Sequence, residues 1–353
     1  MTAAGTATAF VENPDAPQFG DGLAPASAVL LQARIKDLKL HLSGTPLERY
    51  NQQLYTELDS KGLSIRPECY LSDQWGCPSG VPVIGVPFYL ADPNLHSIEE
   101  ALGGGLESER DIMMYLRHEA GHAFNYAFKL YETEEWKKIF GDYDKPYRDD
   151  FKPMPFSRKY VVHISGWYAQ KHPDEDFAET FAVWLTPNSS WETRYKGWGA
   201  LKKLQYMQDT AVRMHRLPPP VTVDEHDLDV DQMEETVLEH YRLRALEEKV
   251  DVQLGEHLDQ DLSTLFEAPG VAPTGADTLI RSERQSLIAA VTQYSGVSRA
   301  VVLSVIDHLL ERTQALDLTV HRDKAREYMT RLTSLLTALS MNYLYTDRFF
   351  EVD

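Results

Sequence analysis

The stretch MMYLRHEAGHAFNYAF, residues 113–128, sets His118 and His122 four residues apart, with Glu119 directly after the first histidine and apolar residues on both sides. On a helix of about 3.6 residues per turn, positions four apart lie about 40° from each other, so both imidazoles project from one face and can share one metal ion. Glu119 falls about 100° round from His118, beside such a metal, where a carboxylate can hold a water molecule and take its proton. A catalytic zinc site also needs a third protein ligand and a position left open for that water. HPDEDFAETF supplies the candidate: Glu175 and Glu179 are four apart on an expected helix and share one face. The plain alternative is an acidic helix start at Asp174, Glu175 and Asp176 with no metal role. Asp176 is a weaker rival ligand, because it points roughly 100° away from the Glu179 face.

These residues resemble the gluzincin metallopeptidases, in which a glutamate is the third zinc ligand and a carboxylate four positions later holds a zinc-binding histidine. The resemblance implies one zinc per chain, with His118, His122 and Glu175 as ligands and Glu179 fixing the tautomer of an imidazole. Three stretches, YLSDQWGCPSGVPVIGVPFYLADP, LRHEAGHAFNYAF and GWYAQKHPDEDFAETFAVWLTP, are together similar to a bacterial family of zinc-binding metallopeptidases with HExxH plus a downstream Glu and largely unassigned substrates. The similarity extends from about Ile35 to His215. It implies hydrolysis of peptide or related amide bonds, with Glu119 as general base. Some gluzincins place a catalytic tyrosine just upstream of the third ligand, which points to Tyr168 as donor to the oxyanion, with His172 and His163 as alternatives.

The elements that must position these groups are mostly helical. VLLQARIKDLKLHL (29–42) and PLERYNQQLYTELDSKG (46–62) show apolar residues at helical spacing, the second opened by Thr45-Pro46 and ended by Gly62. Val83–Leu90 reads as an edge strand, because Pro82 and Pro87 cannot donate ladder hydrogen bonds, and by zincin analogy it would lie antiparallel to a bound peptide. After the flexible Gly103–Gly105, Ser108 caps the motif helix, which should run to about Tyr131. Further helices are expected over DEDFAETFAVWL, halted by Pro187, and over GWGALKKLQYMQDTAVRMHRL. LPPPVTVDEHDLDVDQMEE breaks the helical pattern and reads as a stiff, solvated linker. Its Asp227, Asp229 and Asp231 alternate like an EF-hand loop, but Gln232 and Leu238 occupy the glycine and glutamate positions, so a solvated charge run is expected there. Three amphipathic segments follow and predict a helical bundle, with His308 and His321 as surface or packing residues.

The expected fold is therefore α+β, mainly α: a poorly ordered segment 1–27, a zincin-like domain 28–216 with a small edge-strand sheet, a linker 217–235 and a helical C-terminal domain 236–353. A net charge of -19 from 35 basic and 54 acidic residues opposes nucleic acid and anionic lipid as partners. No apolar run approaches the roughly 18 residues of a membrane span. The two cysteines, Cys69 and Cys77, are too few for a disulfide scaffold and are expected as buried free thiols, with one local disulfide as the alternative. The N-terminus lacks the basic and apolar regions of a secretory signal, so the cytoplasm is expected. A second hypothesis is a scaffold protein in which zinc is structural and the C-terminal helices engage a protein partner.

Overall fold

The computed structural model describes residues 25–102, 105–148, 151–222, 226–247, 250 and 254–350. Helix α1 (Pro25–Leu30) precedes α2 (Pro46–Ser60), whose cap Thr45 accepts a hydrogen bond from the Leu47 amide at 3.2 Å. Strands β1 (Glu68–Ser72) and β2 (Val83–Pro87) pair in parallel, with Cys69 opposite Ile84 and Leu71 opposite Val86. Then come α3 (Pro93–Leu102), α4 (Glu109–Ala127), α5 (Glu134–Phe140), α6 (Pro173–Leu185), α7 (Trp191–Arg194), α8 (Leu201–Arg213) and α9 (Val237–Glu247). The C-terminal part holds α10 (Asp259–Leu265), β3 (Thr274–Gly275), α11 (Ala276–Ser282), α12 (Arg284–Ser295), α13 (Arg299–Ala315), β4 (Thr319–Val320) and α14 (Ala325–Thr346). The structure is thus mainly helical with two small two-stranded sheets among the described residues.

Two apolar clusters organise these elements. The first gathers buried residues from Leu31 to Tyr241, the second from Leu254 to Phe349. At the centre of the first, α4 crosses α6. Helix α4 starts with a reciprocal cap: the Asp111 amide donates to the Ser108 hydroxyl, and the Ser108 amide donates to the Asp111 carboxylate at 3.2 Å. Gly121, inside the motif, sets the spacing of the pair, since a Cβ there would lie 2.8 Å from Ala178 Cα and 3.0 Å from its carbonyl oxygen. Phe124 and Phe181 then meet at 5.2 Å between rings, both fully buried. Each such side chain contributes about 1.5–3 kcal/mol through burial.

Several expectations change. Of segment 1–27, residues 1–24 lie outside the described residues and Pro25 opens α1. Gly103 and Gly104 also lie outside them. The 29–42 segment is not one helix. α1 ends at Leu30, and the backbone pairs with a distant stretch: the Ile35 amide donates to the Glu235 carbonyl at 3.0 Å and the Val237 amide to the Ala33 carbonyl at 3.0 Å. The same contacts correct the 217–235 linker. Val230 and Met233 are buried in the first cluster, followed by Val237 and Tyr241, so the end of this segment is a strap across the core. Within it, Asp229 caps a short helical turn and takes His226 at 2.7 Å, while the Asp227 carbonyl accepts from the Tyr70 hydroxyl at 2.8 Å. Helix α4 stops at Ala127, one turn early, because Lys129 turns into the left-handed region at φ 50°. Residues 278–294 form parts of two helices that meet at Glu283.

The edge strand is shorter than 83–90 and is not open at its middle. β2 covers Val83–Pro87, wholly buried, and Phe88–Ala91 is a 3-10 turn. Opposite β1, the Gly85 amide donates to the Gly76 carbonyl at 2.8 Å and the Gly76 amide returns a bond to the Gly85 carbonyl at 3.3 Å. The backbone next to β2 on that side is therefore the isolated bridge at Gly76.

Candidate metal centre

Helices α4 and α6 bring His118, His122 and Glu175 together, all buried, with one ligand atom of each within 4.8 Å of the others. The three separations are 3.2 Å between the two Nε2 atoms, 3.0 Å from His118 Nε2 to Glu175 Oε2, and 3.3 Å from His122 Nε2 to the same oxygen. Two ligands about 2.05 Å from one centre at the tetrahedral angle lie about 3.3 Å apart, so these atoms have the spacing of one face of a zinc tetrahedron.

The far nitrogens explain why the Nε2 lone pairs converge. His118 Nδ1 donates to Glu179 Oε1 at 3.0 Å, and His122 Nδ1 donates to Asp174 Oδ2 at 2.9 Å. With a proton fixed on each Nδ1, each Nε2 is left as an acceptor facing another acceptor, an arrangement that calls for a cation between them. Both carboxylates are themselves restrained. Glu179 accepts from the His163 and Ile164 amides, each at 3.0 Å to Oε2. Asp174 accepts from Asn125 Nδ2 at 2.7 Å and from the Tyr126 hydroxyl at 2.5 Å.

The electrostatics of the protein groups point the same way. Burial works against a charged His118, yet its bonds to Glu175 and Glu179 raise it to about 10. Burial likewise penalises the Glu175 carboxylate, but when both rings carry a second proton, at Nε2, the charge of His122 and hydrogen bonds from both imidazoles hold it down to about 2. Asp174, despite burial, is lowered by the charge and hydrogen bond of His122. For Glu119 burial wins over the neighbouring histidines and pushes its carboxyl up. So much anionic character around two imidazoles binds either protons or a metal ion. The buried cluster of His118, His122 and Glu175 fits a zinc site.

The cluster opens into a cavity of about 460 Å³ lined also by Glu119, Trp75, Cys77, Tyr143, Tyr147, Tyr168 and His172. Tyr168 stands in a short turn, Tyr168–Gln170, with its ring 5.6 Å from that of His118. His172 reaches the same cavity, but both ring nitrogens are engaged: Nε2 with the Lys145 carbonyl at 2.7 Å, and Nδ1 accepting from the Asp174 amide at 3.1 Å as the cap of α6. His163 is placed elsewhere, its Nε2 donating to the Met114 carbonyl at 2.9 Å. Asp176 turns to the other side of α6 and pairs with Lys203 at 2.5 Å; burial pushes its carboxyl up to about 7, against the pull of that lysine. Cys69 and Cys77 are free thiols, and Cys77 donates to the Val81 carbonyl at 3.2 Å.

Asp174, Asn125 and Tyr126 are site residues that the spacing argument missed. The signal for Asn125 and Tyr126 is a polar stripe: His118, His122, Asn125 and Tyr126 follow one another at spacings of four, three and four along α4, counting Tyr126 from His122.

Residues 97–257 match the model of a family described as "Putative zinc-binding metallo-peptidase". The match begins later than the resemblance seen from Ile35 and runs on through the strap. No curated protein and no solved structure matches the chain. Among the described residues, no helix is long and apolar enough to cross a membrane.

Proposed function

We propose that this protein is a zinc-dependent peptidase of the gluzincin arrangement, with His118, His122 and Glu175 as ligands and a zincin-like fold around α4 and α6. The observation that carries the proposal is the coincidence of three converging ligand atoms with an acidic side chain, Glu119, in the wall of the same cavity. A zinc ion in such a site lowers the pKa of a water toward about 7 and polarises a carbonyl. Glu119, raised by burial, takes the proton of the attacking water and delivers it to the leaving amine. The Tyr168 hydroxyl, in the wall of the same cavity, donates to the developing oxyanion. Asp174 and Glu179 keep both Nδ1 protons in place. Peptide alignment falls to Trp75–Cys77 instead of β2. Gly76 bridges the middle of β2 through its amide and carbonyl, and Trp75 and Cys77 beside it line the cavity.

The fold boundary that suits this reading lies after the strap, between Tyr241 and Leu254, with the C-terminal helices as an extension. Two free thiols suit a reducing compartment such as the cytoplasm. In the competing hypothesis zinc is structural and the C-terminal helices bind a protein partner. The cavity beside the cluster favours the enzyme, since a structural site is closed by four protein ligands.

The deciding experiment compares wild type with Glu119→Gln on a fluorescence-quenched peptide library, with zinc measured in parallel. Glu119→Gln should keep about one zinc per chain and lose about 10²–10⁴-fold in turnover. Full turnover by Glu119→Gln would refute the general-base role. A wild type that binds zinc but cleaves nothing would support the scaffold hypothesis.

A further inference from the structure

Trp167, directly before Tyr168, adopts φ 61° and ψ 35°, the left-handed region that bulky residues avoid unless their surroundings fix them. Part of that support is local, since the Phe156 ring meets the indole edge-on at 5.2 Å. The rest comes from the C-terminal helices. At the end of α12, the indole Nε1 donates to the Tyr294 carbonyl in a long bond of 3.5 Å. Gly296, at φ 75°, forms the seat: a Cβ there would lie 2.4 Å from Pro153 Cγ and 3.2 Å from Trp167 Cδ1.

The same helices hold the neighbouring strand of chain. The Tyr345 hydroxyl donates to the Pro153 carbonyl at 3.2 Å, and Lys152 Nζ meets both Asp347 oxygens at 2.9 Å. Met154 is in turn locked to the turn that carries Tyr168, its amide donating to Gln170 Oε1 and its carbonyl accepting from Gln170 Nε2, each at 2.9 Å. Tyr168 thus stands between two anchors, Trp167 and Gln170, and both lead to a segment clamped by the C-terminal helices.

We infer that the C-terminal helices are a positioning element for the metal-centre cavity, and that Trp167 seated on Gly296 is a positioning residue for Tyr168. The inference rests on the proposed role of Tyr168 as oxyanion donor. It gives the C-terminal helices a task within the chain, apart from any external partner.

The test uses the full chain loaded with zinc. In Gly296→Leu, amide hydrogen exchange should rise across residues 152–171 while α4 and α6 keep their protection; unchanged exchange in 152–171 would overturn the seat, whatever Tyr168 does. On whichever peptides of the quenched library the wild type cleaves, Trp167→Ala should lower kcat by about the same factor as Tyr168→Phe, about 10²–10³-fold, with KM and zinc content unchanged. Trp167→Phe, which keeps a ring on the seat, should restore most of the rate. Trp167→Ala combined with Tyr168→Phe should be no slower than Tyr168→Phe alone, because both act through one hydroxyl. Additive losses, or wild-type kcat in Trp167→Ala, would overturn the positioning role. Wild-type kcat in Tyr168→Phe would instead remove the donor assignment, and positioning through it.

Discussion

The two apolar clusters of this protein bury very different polar groups. Between α4 and α6, the first cluster encloses His118, Glu119, His122, Asp174, Glu175 and Glu179. Around the second, the buried polar side chains among the described residues are Ser295, Thr313, Thr319 and Ser340. Two of these hydroxyls are satisfied within their own helices and so are cheap to bury: Thr313 donates to the Leu309 carbonyl at 2.9 Å and Ser295 to the Val291 carbonyl at 2.6 Å. Charges are not, since each costs several kcal/mol in desolvation even when paired. The second cluster has the make-up of an ordinary apolar core. The first sets two imidazoles against four carboxylates, a cost that a bound cation would offset.

Removing a ligand should separate the two clusters most sharply. Glu175→Ala should drop zinc, measured by elemental mass spectrometry, from about one per chain to near zero, whereas retained stoichiometry would move the third ligand elsewhere. Leu309→Ala, at a fully buried position of the second cluster, should cost about 2–5 kcal/mol in denaturant unfolding and leave zinc content unchanged. Loss of metal in that variant would mean that the clusters are not energetically distinct. Asp174→Asn should weaken zinc affinity by about 10–100-fold in a competition titration, because the His122 tautomer loses its charged partner. Equal affinity would make Asp174 a helix cap and no more.

The smallest effect is graded with pH. Without metal, His118 is raised from 6.5 to about 10, so its contribution to stability is complete below 6.5 and is lost as pH climbs through about 10. Glu175 is lowered from 4.5 to about 2, so its contribution is present above 4.5 and is lost as pH falls through about 2. Zinc requires the imidazoles without the extra proton. The rise in Tm on adding zinc should therefore grow from about pH 6 to about pH 9. A rise that stays flat over that range would show that no ligand proton is displaced.

Much of the centre was legible because helix geometry is rigid. A spacing of four fixed His118 with His122 and Glu175 with Glu179, and the 100° offset turned Asp176 away toward Lys203. Asp174 was passed over because its partner is an imidazole from another helix, a relation that no local period encodes. The strap was misread for a different reason. Prolines and acidic residues announce a solvated chain, but Val230, Met233, Val237 and Tyr241 recur at spacings of three, four and four, an apolar stripe that was present in the sequence and outweighed by composition. The break of the 29–42 segment could not be seen locally at all, since hydrogen bonds to residues about 200 positions away decide it.

That strap also sets a schedule for the growing chain. Leu31 to Lys36 are made early, yet their backbone partners, Met233 to Leu238, leave the ribosome some fifty residues after the last turn of α6. At about 5–20 residues per second, the two helices of the metal centre exist for roughly three to ten seconds before the layer that closes over their core arrives. The nascent protein therefore passes through an interval in which both helices of the candidate metal centre are made and the apolar cluster they share with the strap is still incomplete.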